Sequence, residues 1–185
     1  MRRIQHAQQV TEASREEAEH WNLFRDVLVP GGMVGMLGAV LTAAIALALG
    51  AITRGDLWYA ARLAGGAFHR EAPNGSLTVI LGLLVHVTTA GGLATLFALL
   101  LPRGGTATAA LMLGILMGLT LQVVMPALVI PWASPPLDRE MSHGGLFLVN
   151  LAFGASLGAV PAARRFVTGL DRMRRAVRGA RHALS

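Results

Sequence analysis

The chain has 185 residues, 54% of them hydrophobic and only 14% charged, where an ordinary globular domain is roughly a quarter charged. That is the composition of a membrane protein, with a formal net charge of +6 carried entirely by arginine, since no lysine is present. Cysteine is absent, so disulfides, thiolate metal sites, iron–sulfur clusters and cysteine lipidation are excluded.

Residues 1–30 hold Arg2, Arg3, Glu12, Arg15, Glu16, Glu17, Glu19, Arg25 and Asp26 before any apolar run begins. A secretory signal places its apolar core much nearer the start, so the first apolar segment is expected to be retained as a span. Ser14-Arg15-Glu16-Glu17 has the form of a capping box, and Trp21, Phe24 and Leu28 share one helical face. The pattern predicts an amphipathic helix over 15–29 on the cytoplasmic surface, ending at Pro30, where the Gly31-Gly32 pair allows a sharp bend.

Four segments approach the roughly 20 apolar residues that cross about 30 Å of hydrocarbon: 31–53, 78–101, 107–130 and 138–161. The connection 54–77 carries a third amphipathic candidate, with Trp58 and Tyr59 as interface anchors. Pro102-Arg103-Gly104-Gly105 joins the second and third spans so tightly that they are expected to form an antiparallel hairpin. Pro135-Pro136-Leu137-Asp138 reads as the start of the fourth span. Gly31 and Gly35, Gly114 and Gly118, and Gly154 and Gly158 are four residues apart. Small residues at that spacing let helix backbones approach closely in lipid.

In the tail, 162–185, Phe166, Leu170, Met173, Val177 and Leu184 recur at helical spacing among seven arginines. Such a helix suits an anionic lipid surface. Phe166 is the single aromatic side chain among the arginines, too few for a stacking platform, so nucleic acid is not the expected partner.

Both termini lie on one side of an even number of spans. Arg2, Arg3, Arg15, Arg25, Arg103 and the seven arginines of the tail share that side, against Arg54, Arg62, Arg70 and Arg139 on the other. The positive-inside rule makes the first side cytoplasmic. The expected fold is all-α: a polytopic membrane protein with a four-transmembrane-helix bundle over 31–161 and amphipathic cytoplasmic helices at both ends.

Polar residues inside the spans fall at one level when counted at about 1.5 Å per residue. His86 and Gln122 come out about 12 Å from the exterior ends of their spans, and His143 about 9 Å from the end of its own, with Thr42 one or two turns away and Asn150 two turns below His143. Because polar groups in hydrocarbon face inward and satisfy one another, His86, Gln122, His143 and Asn150 are expected to be mutual neighbours. Four readings compete. His86 and His143 are candidate axial ligands of a b-type haem, with Gly82, Gly91, Gly92, Gly144 and Gly145 making room. Glu140 and His143 form a Glu-x-x-His pair that could hold a metal with His86. The layer could also serve as the relay of a small transporter, although the spans hold no buried carboxylate. The fourth reading, favoured here, is structural, with hydrogen bonds fixing which spans pack together.

The glycine-rich opening of the first span (Gly31, Gly32, Gly35, Gly38), the segment Trp58 to Leu63, His86 in the second span, and His143 opening a span that ends Phe153-Gly154-Ala155-Ser156-Leu157-Gly158 resemble the small four-span bacterial inner-membrane proteins of the YagU-like kind. The resemblance covers most of 31–161 and implies a bacterial inner-membrane location without an established activity. The functional expectation is a non-enzymatic membrane protein without a cofactor, an accessory or assembly subunit that packs against a membrane-protein partner or a second copy of itself.

Overall fold

The computed structural model describes residues 22–68 and 75–183, with side chains to residue 175 and at 177. Among them every regular element is helical. Helix α1 (Val29–Arg54) continues without a break from a π turn, Phe24–Leu28. The bend expected at Pro30 is absent. Proline in the first turn of a helix has no N–H that the helix needs, and the wide turn before it closes through the N–H of Val29 onto the Phe24 carbonyl. Residues 24–30 thus lengthen the first span; residues 15–21 of the expected surface helix lie outside the described residues.

After Gly55, whose left-handed φ of 65° ends α1, the short α2 (Tyr59–Gly65) packs into the bundle with Ala61 and Leu63 buried. Glycine makes this possible. A Cβ at Gly65 would strike the Thr78 backbone, and one at Gly82 the Ala61 carbonyl. Helix α3 (Ser76–Leu100) and the Pro102–Gly105 turn lead to α4 (Ala107–Val124), whose first turn is capped by Thr106 Oγ1 accepting from the Ala109 N–H at 3.1 Å. A second π turn, Met125–Val129, and α5 (Ile130–Ala133) complete that span.

The fourth span begins later than Pro135-Pro136 suggests. Those prolines start α6 (Pro135–Glu140), but Met141 is extended and Ser142 caps a new helix, its Oγ accepting from the Gly145 N–H at 3.1 Å. Helix α7 (His143–Ser156) passes through a 3-10 turn, Leu157–Ala159, into α8 (Val160–Ala183), so the chain stays helical across the expected boundary between bundle and tail. Four stretches are long and apolar enough to cross a membrane: Phe24–Arg54, Ser76–Leu100, Ala107–Ala133 and His143–Arg175.

Close glycine contacts fix the packing. A Cβ at Gly31 would stand 2.6 Å from Thr95 Cα, and one at Gly35 2.6 Å from Gly91 Cα, so α1 lies against α3. Gly114 and Gly154 face each other's carbonyls, and a Cβ at Gly118 would stand 2.5 Å from the Asn150 carbonyl oxygen, so α4 lies against α7. Gly38 meets Phe153 and Ser156, joining α1 to α7. The spans therefore run in the order α3, α1, α7, α4, with α3 and α4 hardly touching. This corrects the expected hairpin: the Pro102–Gly105 turn connects the two helices, but their small-residue faces are committed elsewhere. Val27, Ala94, Phe97, Ala98, Leu101, Ala110, Leu157 and Val160 form a closed core at the end of the bundle that holds this turn.

Candidate functional site

Where α3 and α4 part, a cavity of about 230 Å³ opens. Val85, His86, Thr89 and Leu93 of α3 face Leu121 of α4 and Met125 across it, with Thr42, Asn150 and Phe153 on the inner wall. Ala64 and Ala67 with Ser134 and Leu137 roof it. The roof is pinned by the buried Ser134 hydroxyl, which donates to the Leu63 carbonyl at 2.6 Å. His86 is the single ionisable residue of the lining.

Thr42, 1% exposed, donates its hydroxyl to the Gly38 carbonyl at 2.7 Å, the back-bond a helical threonine makes when no water is near. His86 Nε2 lies 3.0 Å from that hydroxyl oxygen and 3.1 Å from the Ala39 carbonyl. A carbonyl only accepts, so Nε2 carries the proton and donates to both, while Nδ1 is left as a bare acceptor. Between α7 and α4, Asn150 Nδ2 donates to Gln122 Oε1 at 3.0 Å, and Gln122 Nε2 donates to the His143 backbone carbonyl at 3.4 Å.

The expected four-residue layer is thus two separate pairs, Thr42 with His86 and Gln122 with Asn150, and His143 contributes only its backbone. Thr42 takes the place expected of the His143 ring. The cause is the late start of α7: His143 is its first residue and is exposed. Gly145 lies beside Leu49 on α1, seven residues beyond Thr42, which puts the start of α7 about 10 Å along the bundle from His86. Two axial ligands need one level, so this geometry does not fit a bis-histidine haem, and the cavity falls below the roughly 300 Å³ at which small-ligand pockets begin.

The metal alternative fails on the same break. Glu140 ends α6 and accepts the Tyr59 hydroxyl at 2.7 Å, across Met141 and Ser142 from His143. Among the described residues no three His, Cys, Asp or Glu side chains gather. Burial, the hydrogen bond to Glu140 and the Glu140 charge raise the Tyr59 phenol above its ordinary value, with Arg54, whose guanidinium carbon lies 5.1 Å from the ring centroid, opposing.

A second polar centre, at the opposite end of the bundle, escaped the sequence reading. Arg164 is 9% exposed. Its Nε donates to the Asp26 carbonyl at 2.9 Å, Nη1 to the Pro102 carbonyl at 3.0 Å, and Nη2 to the carbonyls of Ala98 and Leu101. In an α-helix the Asp26 carbonyl would receive the N–H of residue 30 and the Ala98 carbonyl that of residue 102. Both positions are proline. One guanidinium, with five donors, serves two carbonyls that proline leaves without their helical donors. The signal was present as two prolines, each four residues after a helical carbonyl, but nothing in the sequence said which arginine would answer.

Beside it the Asp26 carboxylate accepts the Asn22 N–H at 3.1 Å and pairs with Arg103. No known protein family, curated protein or solved structure matches this chain.

Proposed function

We propose that the chain is a non-enzymatic multi-pass protein of a bacterial inner membrane, both termini cytoplasmic, acting as an accessory or assembly subunit that seats a partner's transmembrane helix at the mouth between α3 and α4. The parting of α3 and α4 carries this reading. Chain neighbours joined by a tight turn normally pack along their lengths, and here they leave a mostly apolar mouth in which Thr42 bonds His86 and Asn150 bonds Gln122. A surface of that kind suits an apolar helix, because association in lipid relies on shape and close contact.

The orientation rests on the arginine distribution, and the bacterial inner membrane on the resemblance to small four-span proteins described above. Along α8, Phe166, Met173 and Val177 are exposed among arginines, which favours this helix meeting an anionic lipid surface as it leaves the bundle.

A photo-reactive residue placed in the full chain, in native membranes, at Thr89 or Val129 of the mouth is expected to give one discrete protein adduct. The same probe at Met36 or Leu148, on outer faces, is expected to give none. Adducts from all four positions alike, or from none, would overturn the reading.

One atom favours a second reading. His86 borders the cavity and its Nδ1 has no hydrogen-bond partner among the described residues, so an amphiphile with a donor group could occupy it. In the same experiment that occupant appears as an adduct of lipid mass.

A further inference from the structure

At the end of the bundle opposite this cavity, a cleft of about 610 Å³ lies between the π turn before α1, the Pro102–Gly105 turn and α8. Five arginines line it against one carboxylate, Asp26. They are not equivalent. Arg164 is held by backbone carbonyls and forms the floor, and Arg103 is paired with Asp26. Arg25 lies 3.7 Å from Asp171, and its buried Nε, 3.9 Å from the Asp26 carboxylate, has no hydrogen-bond partner among the described residues.

Arg165 and Arg172 stand apart from these. Both are exposed, and among the described residues neither has a carboxylate within ion-pair reach. Seven residues separate them, two helical turns, so they share the face of α8 that looks onto the cleft, about 10 Å apart along its axis. The backbone between and opposite them is open: a Cβ at Gly169 or at Gly104 would meet nothing within 4 Å.

We propose that this cleft binds a phosphate monoester, with the forks of Arg165 and Arg172 on its oxygens and Arg25 supplying a third donor. Guanidinium forks match phosphate oxygens two at a time. A dianion offers enough oxygens for several forks and answers a cleft whose cations outnumber its carboxylate, where a single carboxylate would not. The rigid floor makes the site pre-formed, because Arg164 fixes the two turns that frame it to α8. The proposal is independent of any partner at the α3–α4 mouth; only a lipid source for the phosphate presupposes membrane insertion.

The test uses the full chain purified in a non-ionic detergent, with thermal unfolding followed against two probes: inorganic phosphate, compared with chloride at equal ionic strength, and phosphatidate doped into the micelles, compared with phosphatidylglycerol. The midpoint is expected to rise with phosphatidate and not with phosphatidylglycerol. A rise with inorganic phosphate as well identifies a site open to soluble phosphate; a rise with phosphatidate alone identifies a lipid headgroup site. Arg165→Gln and Arg172→Gln are each expected to weaken binding about tenfold, the double variant to abolish it, and Arg139→Gln at the far end to leave it unchanged. Equal response to phosphatidylglycerol, no response to either phosphate probe, or an undiminished response in the double variant overturns the proposal.

Discussion

Asp26 and Ala98 each lose a helical donor to a proline four residues on, and Arg164 supplies both. A buried carbonyl left without a donor costs about 1–3 kcal/mol, so Arg164→Leu is expected to destabilise the fold by about 3 kcal/mol or more, read as a lowered unfolding midpoint in detergent. Arg164→Lys keeps the charge but offers three donors on one point instead of a five-donor fork, and should recover less than half of the loss. Full recovery by lysine would mean that the charge, and not the donor count, matters.

Tyr59 is the single tyrosine of the chain, so phenolate absorbance reports it alone. Its folded value is raised by burial and by Glu140. A raised value means the protonated phenol is the form the fold favours: its contribution is complete below the ordinary tyrosine value of about 10 and is lost as pH rises through the higher folded value. Titration of the native chain should therefore show the phenolate appearing above pH of about 10, and Glu140→Gln should move that titration back toward the ordinary value. No movement in Glu140→Gln would leave the Glu140 hydrogen bond without a role.

The elements were legible to different depths, for reasons particular to each. The four spans follow from hydropathy because nothing but a helix satisfies the backbone of a long apolar run in lipid. Their ends follow from local chemistry that hydropathy does not see. Pro135-Pro136 is a sound helix start, yet Ser142 offers a side-chain cap seven residues later, and the chain uses both, at the cost of a break between Glu140 and His143. That break undid the depth count for His143 and with it the haem and metal readings, whereas His86, counted from a firmer end, borders the cavity. The neighbours of each span were harder still. Gly31, Gly35, Gly114, Gly118 and Gly154 all stand at close contacts between helices, but a glycine stripe names no partner. The tight Pro102–Gly105 turn suggested one pairing, and the glycine faces made another.

Across the whole molecule the two ends differ in kind. One is closed by a core reaching from Val27 to Val160 and bound together by Arg164. The other is open, because α3 leans on α1 and α2 while α4 leans on α7, leaving the cavity between them. The outer faces carry Val40, Leu84, Leu116, Val123 and Leu128 exposed, an apolar surface far larger than a soluble monomer tolerates, and this supports a bilayer as its surroundings. The parting of the second and third spans is the premise for everything assigned to the mouth, and the absence of cysteine makes it measurable with introduced pairs in native membranes. Leu111→Cys with Gly158→Cys joins positions across α4 and the 3-10 turn where a Cβ added at Gly158 would stand 3.2 Å from Leu111 Cβ, close to disulfide range; Thr89→Cys with Met125→Cys spans the mouth. Oxidation is predicted to bridge the first pair and leave the second open, whereas a disulfide between positions 89 and 125 would contradict the account.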